Sequence, residues 1–86
     1  MNFEFSKHAL EQMIIRDVSK DIVMKVLENP DEIKQEDGMS IYQSIIPYLD
    51  EGNYLIRVFV NSNKIPNLIV PVYKTSKISK YYEGKI

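Results

Sequence analysis

Residues 6–21 read SKHALEQMIIRDVSKD, and this stretch contains the starts of two helices. Ser6 precedes the first helix, and its hydroxyl is placed to accept a hydrogen bond from a free amide of the first turn. Phe5 and Leu10 occupy the two positions of a hydrophobic staple around this cap. Because the second start follows thirteen residues later, we expect a first helix of about three turns that ends near Arg16.

The second helix start repeats the same device. Ser19 is the expected N-cap, and Val18 and Val23 form its staple. An apolar stripe at helical spacing then continues to Glu28, and Asn29-Pro30 ends the helix. The stripe consists of Ile22, Val23, Val26 and Leu27.

After Pro30 the apolar residues alternate, which is typical of strands. Four strands are predicted, joined by turns that contain Gly, Asn, Asp or Ser. The predicted strands span 32–35, 39–46, 54–60 and 67–75. Pro71 has no amide hydrogen to donate, so we expect an edge or a bulge at that point of the last strand.

Alternation also assigns side chains to the two faces of the sheet. In the third strand, Arg57 lies between Leu55 and Phe59 on one face. The residues expected on the opposite face of that strand are Tyr54, Ile56, Val58 and Val60. In the last strand the same rule separates Leu68, Val70 and Val72 from Ile69, Tyr73 and Thr75.

The order of these elements indicates an α+β fold. We expect two N-terminal helices packed on one face of a roughly four-stranded antiparallel sheet, with the other face open. The 86 residues, without repeats or linkers, correspond to a single domain over 1–86.

Composition excludes several classes of protein. The chain has no cysteine and one histidine, so we expect neither disulfides nor a zinc site of the usual kind, and we expect no cofactor. No apolar run approaches the roughly 20 residues that cross a bilayer, and the N-terminus does not read as an export signal. We therefore expect a cytoplasmic protein without membrane contacts.

The net charge of −1 hides a strong asymmetry. Residues 17–53 carry a net charge of −6, and residues 54–86 carry +5. The split indicates a basic face that could hold an anion, and the alternative is an ordinary solvated surface. Near the C-terminus, lysines alternate with tyrosines in a pattern that suits single-stranded RNA, unless this run is a solvated tail.

Several motifs together resemble a known family. They are Phe5-Ser6-Lys7-His8-Ala9, Met13, Arg16-Asp17-Val18-Ser19, Val26-Leu27-Glu28-Asn29-Pro30, Ile33 and the ending from Val72 to Tyr81. Over nearly its whole length the chain resembles the bacterial domain of unknown function numbered 4258. That family is distantly similar to the RelE/ParE and BrnT-type toxins and nucleases, in which an N-terminal helical segment packs on a four-stranded antiparallel sheet. The resemblance implies an RNA substrate and an antitoxin protein as partner.

The resemblance also selects candidate residues. His8 and Arg16 match polar positions that the family carries on its helices, and Thr75, Ser76, Lys80 and Tyr81 match its terminal polar motif. Metal-independent RNA cleavage needs a general base, groups that stabilise the charged phosphorane, and a general acid. The candidate catalytic residues are His8, Arg16, Thr75, Lys80 and Tyr81. The candidate RNA-binding residues are Arg57, Tyr73, Lys74, Ser76 and Lys77.

Each candidate also has a structural interpretation. His8 could tie the first helix to a neighbouring carbonyl or carboxylate, and Arg16 could pair with Asp17, Glu28 or Asp31 at the helix end. Thr75 and Ser76 could end the last strand through a local bond to the backbone.

Two functions therefore follow from the sequence. The first is a small RNA-interacting protein of the RelE/ParE type, with metal-independent endoribonuclease activity as the sharper hypothesis. The alternative is a non-catalytic protein-interaction module or homodimer of the same fold.

Overall fold

In the computed structural model, which describes residues 3–84, both predicted serine caps are formed. Ser6 Oγ accepts a hydrogen bond from Ala9 N at 3.0 Å, and Ser19 Oγ accepts one from Ile22 N at 3.1 Å. These bonds satisfy amides that the first turn of a helix leaves free. The helices that follow are α1 (Lys7–Ile15) and α2 (Lys20–Glu28).

Residues 3–84 also contain five strands and one short C-terminal helix. The strands are β1 (Phe3–Phe5), β2 (Glu32–Glu36), β3 (Met39–Tyr48), β4 (Gly52–Asn61) and β5 (Asn67–Thr75). The short helix is α3 (Ile78–Tyr81). Across this part of the chain no helix has the length and apolar character needed to span a membrane.

The strands form one sheet in the order β1-β5-β4-β3-β2. β2 to β5 are antiparallel to their neighbours, as predicted, but β1 pairs in parallel with β5. The sheet is therefore five-stranded and mixed, and the prediction of four purely antiparallel strands was wrong in this respect. β1 has only three residues, too few to show an alternating pattern, and its partner lies more than 60 residues further along the chain.

A bulge in β5 changes the predicted assignment of side chains to faces. Val58 pairs with Val72 and Val60 pairs with Ile69, so a single β4 residue faces two β5 residues, one of which is Pro71. The expected irregularity at Pro71 is thus confirmed. Because of the extra residue, Ile69 lies in the core with Val72, and the prediction that grouped Ile69 with Tyr73 and Thr75 was wrong.

The core lies between one face of the sheet and the two long helices. α1 packs on β5, and α2 packs on β3 and β4. The core residues shared by helices and sheet are all apolar. They are Ala9, Met13, Val18, Val23, Val26, Leu27, Ile46, Ile56, Val58, Val60, Ile69 and Val72.

The opposite face of the sheet is partly covered by the C-terminal segment. The backbone carbonyl of Tyr81, in α3, accepts a hydrogen bond from Gln43 Nε2 at 3.1 Å, which ties α3 to β3. Gln43 and Arg57 are both buried on this face, together with the apolar residues Ile41 and Leu55. The expectation of a fully open face was therefore wrong, because the C-terminal run folds back as a helix.

Candidate functional site

A cleft of about 290 Å³ lies where the end of α1 approaches the last residues of β5 and the helix α3. Its walls bring together residues that are far apart in sequence, because β4 and β5 are neighbours in the sheet and the C-terminal segment folds back over them. The lining residues are Arg16, Arg57, Tyr73, Lys74, Thr75 and Tyr81. All six belong to the candidates that the sequence indicated.

Arg57 forms the floor of this cleft. It is directly opposite Tyr73 in the β4–β5 ladder, and only 7% of its surface is exposed. Its guanidinium carbon lies 4.3 Å from the ring centroid of Tyr81 and 5.2 Å from that of Phe59. Because aromatic rings lie near the planar guanidinium group, its terminal N–H groups are the atoms best placed to bind a ligand.

The hydrogen bonds of Arg57 leave these terminal nitrogens available. Nε donates to Oε1 of Gln43 at 2.9 Å, and Nη2 lies 4.0 Å from Oε2 of the exposed Glu36, beyond hydrogen-bond distance. Within residues 3–84, no completely enclosed side-chain nitrogen lacks a partner. The terminal nitrogens of Arg57 are therefore either hydrogen-bonded or in contact with solvent, and Arg57 is one of the residues that line the cleft.

A chain of hydrogen-bonded polar groups extends from Arg57 through the buried Gln43 to the partly buried Glu32. Gln43 Nε2 donates to Glu32 Oε1 at 2.6 Å, and Glu32 Oε1 also accepts from the amide of Glu83 at 3.4 Å. Neither Gln43 nor Glu32 was a candidate from the sequence. The available signal was a glutamine between Ile41 and Ile45 on one face of a strand, because a glutamine with apolar neighbours is a candidate buried amide that needs several partners.

Arg16 forms the second cationic wall. It is the C-cap residue of α1, its Nε donates to Oε1 of Gln12, and its guanidinium carbon lies 5.0 Å from the centroid of Tyr73. Among the residues described, Arg16 has no carboxylate within 4 Å, so the alternative pairing with Asp17, Glu28 or Asp31 is not formed. Its charge is available to a ligand.

Tyr73 and Thr75 supply neutral groups on the same wall. Tyr73 is 37% exposed and packs edge-on against Phe59, with 5.4 Å between ring centroids. Thr75 Oγ1 accepts a hydrogen bond from Lys77 N at 3.0 Å, which confirms the expected local bond at the end of the strand. The hydroxyl hydrogen of Thr75 is left to donate to a ligand.

Lys74 lines the cleft, but its ammonium group is engaged elsewhere. Nζ lies 3.8 Å from the ring centroid of Tyr48, 4.5 Å from that of Tyr54, and 3.7 Å from Oε1 of Glu51. Burial, reinforced by the carboxylates of Asp17 and Glu51, raises the pKa of Tyr48 above its ordinary value. The neutral Tyr48 hydroxyl donates to the carbonyl of Asp17 at 3.0 Å. This cluster fixes the turn after α1, which carries Arg16.

Four candidates lie outside the cleft. His8 is exposed and lines a separate shallow groove on α1 with Ile14 and Ile15, which argues against a buried structural bond. Lys80 is exposed on α3, and its Nζ lies 5.3 Å from the centroid of Tyr81. Ser76 and Lys77 are exposed in the connection between β5 and α3.

The chemistry of the cleft follows from its composition. The six lining residues include two guanidinium groups, an ammonium group paired with a carboxylate, one aliphatic hydroxyl and two phenols, and no histidine or carboxylate. Guanidinium groups with accessible N–H edges bind phosphate or carboxylate oxygens through two parallel hydrogen bonds. The arrangement is suited to holding a planar pair of anionic oxygens.

Comparison with known proteins gives one match. The model of a family described as "Domain of unknown function (DUF4258)" matches residues 5–74. No curated protein and no solved structure matches the chain. The matched range contains Arg16, Arg57, Tyr73 and Lys74 of the cleft.

Proposed function

The chain belongs to the DUF4258 family, and we propose that this member binds single-stranded RNA through the cleft, with one backbone phosphate held between Arg16 and Arg57. The observation that carries the proposal is the pair of guanidinium groups in one cleft, one with no carboxylate within 4 Å and the other with its nearest one at the 4.0 Å limit among residues 3–84. A phosphate bound in the cleft would pair with both guanidinium groups, neither of which has a carboxylate at hydrogen-bond distance among these residues.

Aromatic side chains beside the cations support RNA over a small anion. Tyr73 is 37% exposed, and Tyr81 also lines the cleft. Phenol rings next to arginines provide surfaces on which unstacked bases can pack while the phosphates pair with the cations. The free hydroxyl hydrogen of Thr75 is available to a phosphate or to a ribose 2′-hydroxyl.

Two exposed lysines follow the cleft residue Thr75 in the chain. Lys77 and Lys80 are exposed on the segment that follows Thr75, and residues 54–86 carry a net charge of +5. A strand bound in the cleft would continue along these lysines, which contribute to affinity without reading sequence.

The sequence predicts a distant resemblance to RelE/ParE and BrnT-type toxins, and on that expectation we propose RNA rather than DNA as ligand and a cytoplasmic protein with an antitoxin as partner. The same expectation also adds endoribonuclease activity as a hypothesis. Because the lining residues include no histidine or carboxylate, proton transfer within the cleft would depend on the phenol of Tyr73 or Tyr81. The proposal is therefore RNA binding, and cleavage is a separate question.

The test of the proposal is binding of a fluorescein-labelled oligouridine of about 12 nucleotides, followed by fluorescence anisotropy at several salt concentrations. Two phosphate contacts predict that log affinity falls with log salt with a slope of about −1.4 or steeper. Equal affinity for the matching DNA would change the ligand class, and an absence of binding would refute the proposal. Gel analysis of the same mixtures measures cleavage.

A second candidate function rests on a different observation. Leu10, Ile14 and Ile15 on α1 are 44%, 82% and 76% exposed. Neighbouring exposed aliphatic side chains on one helix are typical of a protein-interaction surface, so this face favours an interaction module. Sedimentation of wild type and Ile14→Lys at several concentrations tests self-association, which the substitution should abolish.

A further inference from the structure

Gln43 is the most completely buried polar side chain on the cleft side of the sheet. None of its surface is exposed, and its neighbours on the same face of β3 are Ile41 and Ile45. An amide placed in such surroundings costs free energy unless its donors and acceptor are all used. Packing alone does not explain a glutamine at position 43, since an apolar side chain of similar volume would fill the same space.

The partners of Gln43 fix the orientation of its amide. Oε1 accepts from Arg57 Nε at 2.9 Å, and Nε2 donates both to Glu32 Oε1 at 2.6 Å and to the carbonyl of Tyr81 at 3.1 Å. A reversed amide would direct its N–H groups at the guanidinium and its oxygen at a carboxylate. One orientation is therefore allowed, and it presents a neutral oxygen to Arg57.

We infer that Gln43 is a positioning residue for the phosphate site: it orients the guanidinium of Arg57 without neutralising its charge. This inference rests on the proposed function, in which Arg57 binds a backbone phosphate. Buried arginines are commonly paired with a carboxylate, which orients them and cancels their charge together. Here Oε2 of the exposed Glu36 lies 4.0 Å from Nη2, beyond hydrogen-bond distance. The carboxylate of the partly buried Glu32 is separated from Arg57 by the amide of Gln43.

The contacts of Glu32 also show that the negative charge of this network lies away from Arg57. Its carboxylate accepts from Gln43 and from the amide of Glu83, and Lys34 Nζ lies 4.0 Å away. The negative charge is thus stabilised on the side of the network that faces away from the cleft. Moving it to position 43 would place it directly against Arg57.

The test exchanges the two side chains. Glu32→Gln/Gln43→Glu retains the same atoms apart from the exchanged amide and carboxylate groups, and it retains the net charge. The new amide at position 32 can still donate to the side chain at position 43, and the new carboxylate at position 43 can still accept from Arg57 Nε. The bond from position 43 to the carbonyl of Tyr81 is lost, because a carboxylate has no hydrogen to donate. The control Glu32→Gln keeps the amide beside Arg57 and removes the distant charge. Affinity for oligouridine and the NMR signal of the Arg57 Nε–H group are measured for each protein.

A positioning role predicts that the exchange variant keeps the Arg57 signal but binds oligouridine about tenfold more weakly or worse, since a carboxylate now competes with the phosphate. Glu32→Gln should bind within about twofold of wild type. Wild-type affinity in the exchange variant would overturn the inference. A purely structural role for Gln43 predicts instead that Gln43→Met lowers stability and leaves the affinity for oligouridine unchanged.

Two further variants distinguish a wrong role for Gln43 from a wrong phosphate site. If Arg57→Gln, which removes the positive charge, binds oligouridine as well as wild type, the proposed phosphate site itself is wrong. If Arg57→Gln is weakened but the exchange variant is not, only the role of Gln43 is wrong. Should the exchange variant fail to fold, Gln43→Met removes the acceptor without adding charge, and unchanged affinity in that variant would contradict the inference.

Discussion

Replacing Arg16 by alanine should weaken RNA binding strongly and lower the free energy of unfolding only slightly. In the structure Arg16 contacts the ring of Tyr73 at 5.0 Å and the side chain of Gln12, and it forms no ion pair among residues 3–84. Loss of a partly exposed cation–π contact costs about 0.5–1 kcal/mol of stability. Loss of a charge-assisted hydrogen bond to phosphate costs about 1.5–3 kcal/mol of binding free energy.

That binding loss corresponds to a decrease in affinity of roughly 10- to 150-fold. The slope of log affinity against log salt should also become shallower by about 0.7, because one phosphate contact to a single strand is lost. The assay is fluorescence anisotropy with labelled oligouridine, with Lys25→Ala as the matched control, since Lys25 is an exposed cation on α2 outside the cleft. If Arg16→Ala binds within about twofold of wild type, the reasoning is refuted.

Three further predictions concern the core, pH and His8. Leu27→Ala should lower the free energy of unfolding by about 2–5 kcal/mol in urea titrations, because Leu27 is 1% exposed in the core; a loss below about 1 kcal/mol would contradict the packing. Burial and the carboxylates of Asp17 and Glu51 raise the pKa of Tyr48 in the folded protein. The contribution of Tyr48 to stability is therefore present below the ordinary tyrosine pKa of about 10, and it is lost as pH rises through the raised pKa. Stability at high pH should therefore fall more steeply in wild type than in Tyr48→Phe. His8→Ala should change RNA affinity by less than about twofold, because His8 lies outside the cleft, whereas the catalytic hypothesis predicts that any RNA cleavage is abolished.

Local features of the sequence were sufficient to predict much of the fold. The caps at Ser6 and Ser19 involve residues three positions away, so short motifs reveal them. The hairpin between β2 and β3 is similar, because Asp37 and Gly38 both have positive φ values of 50° and 77° and form its turn. Such features are decided within a few residues.

Non-local features were missed. β1 exists because Phe3 to Phe5 pair with a strand more than 60 residues away, and α3 has only four residues. The bulge at Pro71 was expected, but alternation alone could not show how many residues it shifts, so Ile69 was placed on the wrong face. These outcomes depend on how strands pair across the sheet, and the residue pattern within one strand does not show that pairing.

The candidate site was predictable in its chemistry and less so in its geometry. Arg57 stood out as a charged residue between apolar neighbours, and Tyr73 and Tyr81 lay in the basic C-terminal run. The sequence could not show that Arg16 joins them, because that requires α1 to pack beside β5. Nor could it show that Gln43 lies behind Arg57, because the register of β3 against β4 decides that contact.

The most direct test of the central claim is an NMR titration of the wild-type protein with unlabelled oligouridine. Binding in the cleft predicts that the earliest and largest shifts occur at the side chains of Arg16 and Arg57 and at the backbone amides of Tyr73 and Thr75. Shifts confined to the exposed face of α1 around Ile14, or no shifts at oligouridine concentrations that saturate the anisotropy signal, would contradict the account.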